Sequence, residues 1–311
     1  MYLERKIDTE LEIWKQLPIR KPIILRGARQ VGKSSAVRNL AIKFKYLIEI
    51  NFDENPSYSA IFEKDLDPLS ICEQLSVITN TPIVIGETLL FFDEIQSCIP
   101  AISCLRYFYE KMPHLHIIAA GSLLEFALSE IPSFGVGRVR SIFMYPLSFE
   151  EFLLANKEKG LLEALTKATT QKALSEIFHQ KLKTYLKKFL IIGGMPEVVK
   201  SYVQNGDMLE TQRILDDLIL SIQADFTKYK TRVSPARIRE VFNTVVQQVG
   251  TKFSYSYPNS TLSNIQIKEA LTLLEMAGLV YFVTHSASNG IPVGAEINFK
   301  KRKMLLFDTG I

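Results

Sequence analysis

The sequence predicts an α/β protein with a parallel-sheet core, followed by an α-helical segment and then a winged-helix-like segment. Three observations carry that prediction. Over residues 1–148, continuous apolar runs alternate with segments of helical periodicity. Continuous rather than alternating runs mark strands buried on both faces of a parallel sheet. From "SFEEFLLANKEKG" onward the strand signals stop, and helical spacing runs to about residue 225. Beyond that, two helical patterns precede the apolar run "LVYFV", the outline of helices with a β ribbon.

The elements follow in order. Residues 1–17 place Leu3, Ile7, Leu11 and Trp14 on one helical stripe, closed by Pro18 and Pro22. "IIL" (23–25) is a short buried strand, Lys33 to Phe44 a helix, and "YLIEINF" (46–52) a second strand. Residues 57–80 read as helical with a break at Asp67-Pro68. "TLLFFDE" (88–94) is a third strand, 101–111 a helix, "HIIAAGS" (116–122) a fourth strand and 123–129 a short helix. A turn, "PSFGVG", leads to a fifth strand, "RSIFMYPL". The later helical run is interrupted at "IIGGMPEVV" (191–199). Ser234 and Pro235 start the helix "SPARIREVFNTVVQQV". A loop, "GTKFSYSYPNST", separates it from a helix ended by Gly278. The expected division is therefore 1–148, a helical segment 149–230, a winged-helix-like domain 231–290, and 291–311 as the start of another module.

Composition narrows the class. The chain has 311 residues, 47% hydrophobic and 23% charged, which is globular rather than disordered. No apolar run approaches the roughly 18 residues a membrane span needs, and "MYLERKIDTE" has no apolar signal core. A cytoplasmic protein with no membrane partner is expected. Cys72, Cys98 and Cys104 lack metal or disulfide spacing and read as small buried residues. The net charge of +4 is uneven: residues 226–311 hold 11 Lys/Arg and 5 Asp/Glu, a net of +6, leaving −2 for the rest. Such a basic end suits an anionic partner such as nucleic acid, or is a solvated face.

The chemistry begins at "LRGARQVGKSSAV". It fits G-x-x-x-x-G-K-[ST] at Gly27, Gly32, Lys33 and Ser34. A helix start has unpaired N–H groups and a positive dipole end, and phosphate is the matching ligand. Gly27, Ala28, Arg29, Gln30, Val31, Gly32, Lys33, Ser34 and Ser35 are the candidate nucleotide-binding residues, with Lys33 reaching the terminal phosphates. Ser34 and Asp93 are the candidate Mg²⁺ ligands. Asp93 ends "LLFFDEIQ", at the strand edge where ligands bind in parallel sheets. Glu94 is placed to orient or deprotonate an attacking water. Ser122, ending "IIAAGS", should lie between the other two strand tips and sense phosphate, or cap the next helix; Gln96 has a similar neighbourhood. Arg138 and Arg140 are candidate transition-state cations, in cis or from a neighbouring subunit. Arg26 and Arg29 touch phosphate or only solvent. Together these predict a P-loop NTPase core that uses a nucleotide with Mg²⁺, in the pattern of hydrolysing P-loop ATPases rather than small-molecule kinases.

Several stretches together resemble a known family. "YLERKID", "GARQVGKSS", "NFDENP", "LLFFDEIQ", "AAGSLLEFAL", "YPLSFEEFLLA", "GGMPEVV", "DFTKYK" and "GLVYFVT" are similar to bacterial AAA-type ATPases that join an AAA_14 domain to a DUF4143 domain. That resemblance implies the Walker roles already given, ATP over GTP, and a C-terminal module with a nuclease-like fold. The sequence stops at "KMLLFDTGI", so that module is expected to be truncated, with Asp308 near its first strand and no nuclease activity. The expected activity is ATP hydrolysis, slow without a partner, that moves the helical and winged-helix parts. The alternatives are a nucleotide-gated regulatory module with little turnover, or a DNA- or protein-binding module in which Arg237, Arg239 and Lys268 would contact DNA; a homo-oligomer is a further candidate assembly.

Overall fold

The computed structural model describes residues 1–129, 131, 137–229, 233–255 and 262–311. Most of the "PSFGVG" turn and the end of the "GTKFSYSYPNST" loop lie outside the described residues. The chain divides into two compact units, Met1–Leu174 and Ser175–Ile311.

The first unit is a five-stranded sheet in the order β2-β3-β4-β1-β5. Its strands are β1 (Ile23–Arg26), β2 (Tyr46–Asn51), β3 (Thr88–Asp93), β4 (His116–Ala120) and β5 (Arg140–Phe143). Every pairing is parallel. All residues of β3 and β4 are buried, as the continuous apolar runs required. The helices are α1 (Lys6–Gln16), α2 (Lys33–Ala41), α3 (Ser59–Lys64), α4 (Pro68–Thr79), α5 (Ile99–Lys111), α6 (Leu124–Ser129), α7 (Phe149–Ala155) and α8 (Lys159–Lys167). Asp67 caps α4 through Ser70 N–H with Pro68 at its first position, which explains the break read in the sequence. Leu3 is buried although it precedes α1, whose apolar face is carried by Leu11 and Trp14.

An aromatic cluster fills the space beside β3. Phe92 meets Phe62 edge-on at 5.5 Å and Phe108 at a tilt at 6.4 Å, while Phe52 meets Phe62 edge-on at 5.6 Å. These rings are fully buried, and edge-on pairs add to the area they remove from water. The register matters for the site. Leu25 of β1 pairs with Ala120 of β4, and Phe92 of β3 pairs with Ala119. The carboxyl ends of β1, β4 and β3 therefore lie side by side, with β4 in the middle.

The second unit holds α9 (Glu176–Ile192), α10 (Pro196–Asn205), α11 (Met208–Ala224), α12 (Pro235–Gln248) and α13 (Asn264–Met276). An antiparallel ribbon follows, β6 (Val280–Ser286) with β7 (Ile297–Leu306). The strand at 297–306, read from the sequence as opening a further module, is the second strand of that ribbon. Asp308 is buried; its Oδ2 accepts from Gly194 N–H at 2.6 Å and its Oδ1 from Gly310 N–H at 2.9 Å. The "GGMPEVV" stretch is thus a tight joint between α9 and α10, closed over a carboxylate.

At the amino end of the sheet, His116 is buried edge-on against Trp14 and Phe44. Its Nε2 lies 3.0 Å from Lys15 O and its Nδ1 faces Arg20. Burial holds its pKa down, to about 4 against 6.5, and the Arg20 and Lys15 charges push the same way. The folded state thus disfavours the protonated ring. Stability from this site is complete above the unfolded pKa and is lost as pH falls through the folded one. Thermal melts between pH 7 and pH 4 should show this as a falling Tm, and His116→Gln should flatten the decline; equal slopes would remove His116 as the cause.

Candidate functional site

The connection between β1 and α2 forms the centre of the site. Gly27 has φ +131°, and a Cβ there would lie 2.1 Å from Met144 O. Only glycine lets this loop run against the chain leaving β5. Gln30 also takes a left-handed φ, +61°, within the curl. α2 begins at Lys33, so its first-turn amides face out of the helix end without intrahelical acceptors.

Lys33 is buried at 7% exposure, and its Nζ donates to Gly27 O at 2.9 Å and Ala28 O at 2.7 Å. Its ammonium thereby rests on the loop's own carbonyls. Burial brings its pKa down to about 8; nearby Glu94 and Asp93 resist that fall. Ser34 Oγ donates to Asp93 Oδ2 at 2.7 Å, which ties α2 to the end of β3. Asp93 is 4% exposed, and burial raises its pKa while the Ser34 hydrogen bond opposes the rise.

Directly after β3 the backbone turns left-handed at Glu94, φ +49° and ψ +44°. A non-glycine residue held there costs roughly 1–2 kcal/mol. The turn brings the Glu94 carboxylate to Gln96 and Ser122: Oε2 accepts from Gln96 Nε2 at 2.6 Å and from Ser122 Oγ at 3.4 Å. Ser122 Oγ in turn accepts from Arg29 Nε at 3.2 Å. One polar chain thus runs from the loop, across the end of β4, to the end of β3. Gln96 Oε1 is buried without a hydrogen-bond partner. Gly121 makes room for it, because a Cβ at 121 would lie 2.1 Å from that oxygen.

The structure gathers Gly27, Ala28, Arg29, Gln30, Val31, Gly32, Lys33, Ser34, Asp93, Glu94 and Ser122 at one edge of the sheet. Ser35 lies in the first turn of α2 with its side chain exposed. Arg138 is not brought there. It ion-pairs with Glu110 near the end of α5, just before β5, whose first residue pairs with the first residue of β1. That is the amino end of the sheet, opposite the loop, so Arg138 does not serve as a cation for this chain's own site. Arg140, also at that end, pairs with Glu10 of α1. Arg26 is held by Glu125 at 2.7 Å rather than facing the loop. Sequence reasoning missed Arg5 altogether. Its guanidinium reaches the loop, the chain after β5 and α7, and its partners lie 26, 140 and 146 residues away, beyond any local pattern.

The donor set suits a nucleotide with a divalent cation. A glycine-shaped curl, a buried lysine, a helix start, and a hydroxyl beside a carboxylate are what a metal-bound triphosphate requires. Such a loop between a buried strand and a helix, one strand away from an Asp–Glu tip, defines a P-loop ATPase core. Comparison with known proteins agrees. Residues 19–153 match the AAA_14 family, an AAA domain of the P-loop ATPases. Residues 183–311 match DUF8612, a domain of unknown function, and this replaces the expected DUF4143 module.

Among solved structures, the Walker-type ATPase PABY2304 of Pyrococcus abyssi aligns over 99% of this chain and 94% of that one, at 15% identity and TM-score 0.57. The Orc1 protein of Aeropyrum pernix in complex with DNA aligns over 97% and 89%, at 13% identity and TM-score 0.33. Drosophila ORC bound to DNA aligns over 98% and 92%, at 13% identity and TM-score 0.36. The first of these likenesses is one of fold. No curated protein sequence matches the chain.

The depressed Lys33 pKa gives a measurable signature. A bound phosphate favours the ammonium and raises that pKa, so binding at about pH 8.5 should take up protons and affinity should fall at higher pH. Calorimetry in two buffers of different ionisation heat reads the uptake. It should vanish at about pH 6.5, where Lys33 is already charged; uptake that is the same at both pH values would contradict the assignment.

Proposed function

We propose that this protein binds ATP with Mg²⁺ and hydrolyses it slowly, and that the nucleotide state repositions its helical segments. The observation that carries the reading is the connected set Ser34–Asp93 and Glu94–Ser122–Arg29 at one sheet edge. Loop amides and Lys33 bind and orient the phosphates, exchanging the Gly27 and Ala28 carbonyls for phosphate oxygens. Mg²⁺, when bound by Ser34 and Asp93, neutralises charge on the phosphates.

Glu94 accepts a proton from, or orients, the attacking water. Gln96 Oε1, a buried acceptor beside it, offers that water a second hydrogen-bond acceptor. Arg29, held at Ser122, is the cation this chain itself brings to the transferring phosphoryl group. An additional arginine, Arg138 among the candidates, comes from a neighbouring copy, which is why turnover is slow in isolation. Purified protein should release phosphate from Mg·ATP. Glu94→Gln should bind ATP within about twofold of wild type and turn over at least about 100-fold more slowly. Equal turnover in the two proteins would remove Glu94 from the chemistry.

A second reading concerns the second unit, where Arg237, Arg239, Lys252, Lys268, Lys301 and Lys303 are all exposed. Two helices with a basic ribbon suit a winged-helix-like contact with duplex DNA. Retention on duplex DNA should then fall steeply with salt, because each phosphate contact releases counterions. Arg237→Ala/Arg239→Ala should reduce the salt slope; retention that salt leaves untouched would argue against this contact.

A further inference from the structure

Arg5 stands at the amino cap of α1, outside every nucleotide motif, yet is only 7% exposed. Its guanidinium joins three distant segments. Nη1 donates to Val31 O in the phosphate loop at 2.9 Å, Nη2 to Tyr145 O after β5 at 2.6 Å, and Nε to Glu151 Oε1 of α7 at 3.1 Å. Glu151 is equally enclosed; the two side chains are each 6% exposed. The Glu151 carboxylate also accepts from Lys6 N–H at 2.7 Å and Ser148 N–H at 2.8 Å. A buried pair this well satisfied meets the condition under which such a pair is tolerated: both charges compensated and their hydrogen bonds filled.

The contact with Val31 has a consequence for phosphate. In a planar trans peptide the C=O of one residue and the N–H of the next point in opposite directions. Arg5 holds the Val31 carbonyl on the side of α1 and α7, so the Gly32 N–H is turned the other way, toward the cradle side of the loop. An unheld Val31–Gly32 peptide could flip and present a carbonyl to the phosphates, repelling them. A lysine could keep the charge opposite Glu151 but cannot present three donors in a fixed fork.

We propose that Arg5 is a positioning residue for nucleotide binding: braced by Glu151, it locks the Val31–Gly32 peptide in the phosphate-receiving orientation. It also ties that peptide to the 145–151 segment, so that loop and α7 move together. This rests on the nucleotide-binding reading above. It adds a determinant that lies on α1 and touches no nucleotide itself.

The test takes full-length Arg5→Lys and the charge-neutral double variant Arg5→Gln/Glu151→Gln, measured well below each variant's Tm. Glu12→Gln serves as the control, since it cuts another α1 ion pair, that with Lys43, without touching the loop. Two readouts are used: Mg·ATP affinity, and nucleotide-free hydrogen exchange of peptides spanning residues 27–33. Arg5→Lys, or the double variant should the lysine protein not fold, should weaken Mg·ATP binding by about tenfold or more. The same variant should speed exchange in the loop peptides while the β3 and β4 peptides stay protected. Glu12→Gln should leave both readouts at wild-type values. Loop exchange and affinity both unchanged in the folded Arg5 variant would overturn the proposal, as would an equal loss in the Glu12→Gln control. Wild-type protein that binds no Mg·ATP would instead overturn the reading beneath it, whatever the exchange data show.

Discussion

The hydrogen bond from Ser34 to Asp93 is the junction on which the site depends. It fastens the first turn of α2, which follows β1, to the tip of β3, a strand separated from β1 in the sheet by β4. Its geometry is set from below by the core. Phe92, one residue before Asp93, is locked among Phe52, Phe62 and Phe108, so the carboxylate leaves the strand from a fixed point. Close packing of that kind transmits position, because interior side chains have little room to shift. The same rigidity keeps Asp93 buried and poorly solvated, which raises its pKa and gives it reason to take a hydroxyl or a cation as partner.

Around that junction the chain spends stability on arrangement. Glu94 holds a backbone conformation unfavourable for its type, and Gln96 leaves a buried oxygen without a donor. Both lie in one short stretch after β3, beside Ser122. Glu94 Oε2 takes the hydrogen bonds of Gln96 and Ser122, and Gln96 Oε1 is packed against Gly121. Strain and unmet hydrogen bonds gathered in one place support the reading of this edge as a site.

Much of this was legible in the sequence, for a definite reason. The glycine spacing, the strand before it and the helix after it are local, so "GARQVGKS" announces its own conformation. Continuous apolar runs identified the strands, and the "DE" after "LLFF" put two carboxylates at a strand end. What escaped was long-range. Arg138 looked like a cation near the site, yet β5 runs parallel to β1, and a residue preceding it must fall at the opposite end of the sheet. Arg5, just before α1, and Glu151, on α7, are ordinary charged residues until the fold brings them together. The strand at 297–306 shows the same limit, since β6 and β7 are joined by a ten-residue connection, 287–296, rather than by a two-residue turn at Asn289-Gly290.

The carboxylate of Asp308 gripping the backbone at Gly194 has a mechanical corollary. It staples the residues after β7 to the elbow between α9 and α10, turning the polypeptide from 194 to 308 into a closed ring fastened by a side chain. The end of β7 is therefore linked to the end of α9 directly, as well as along the chain through α10 to α13. Within this unit the ribbon is thus held at two places, at the elbow behind α9 and against α12 and α13, on which its strands pack.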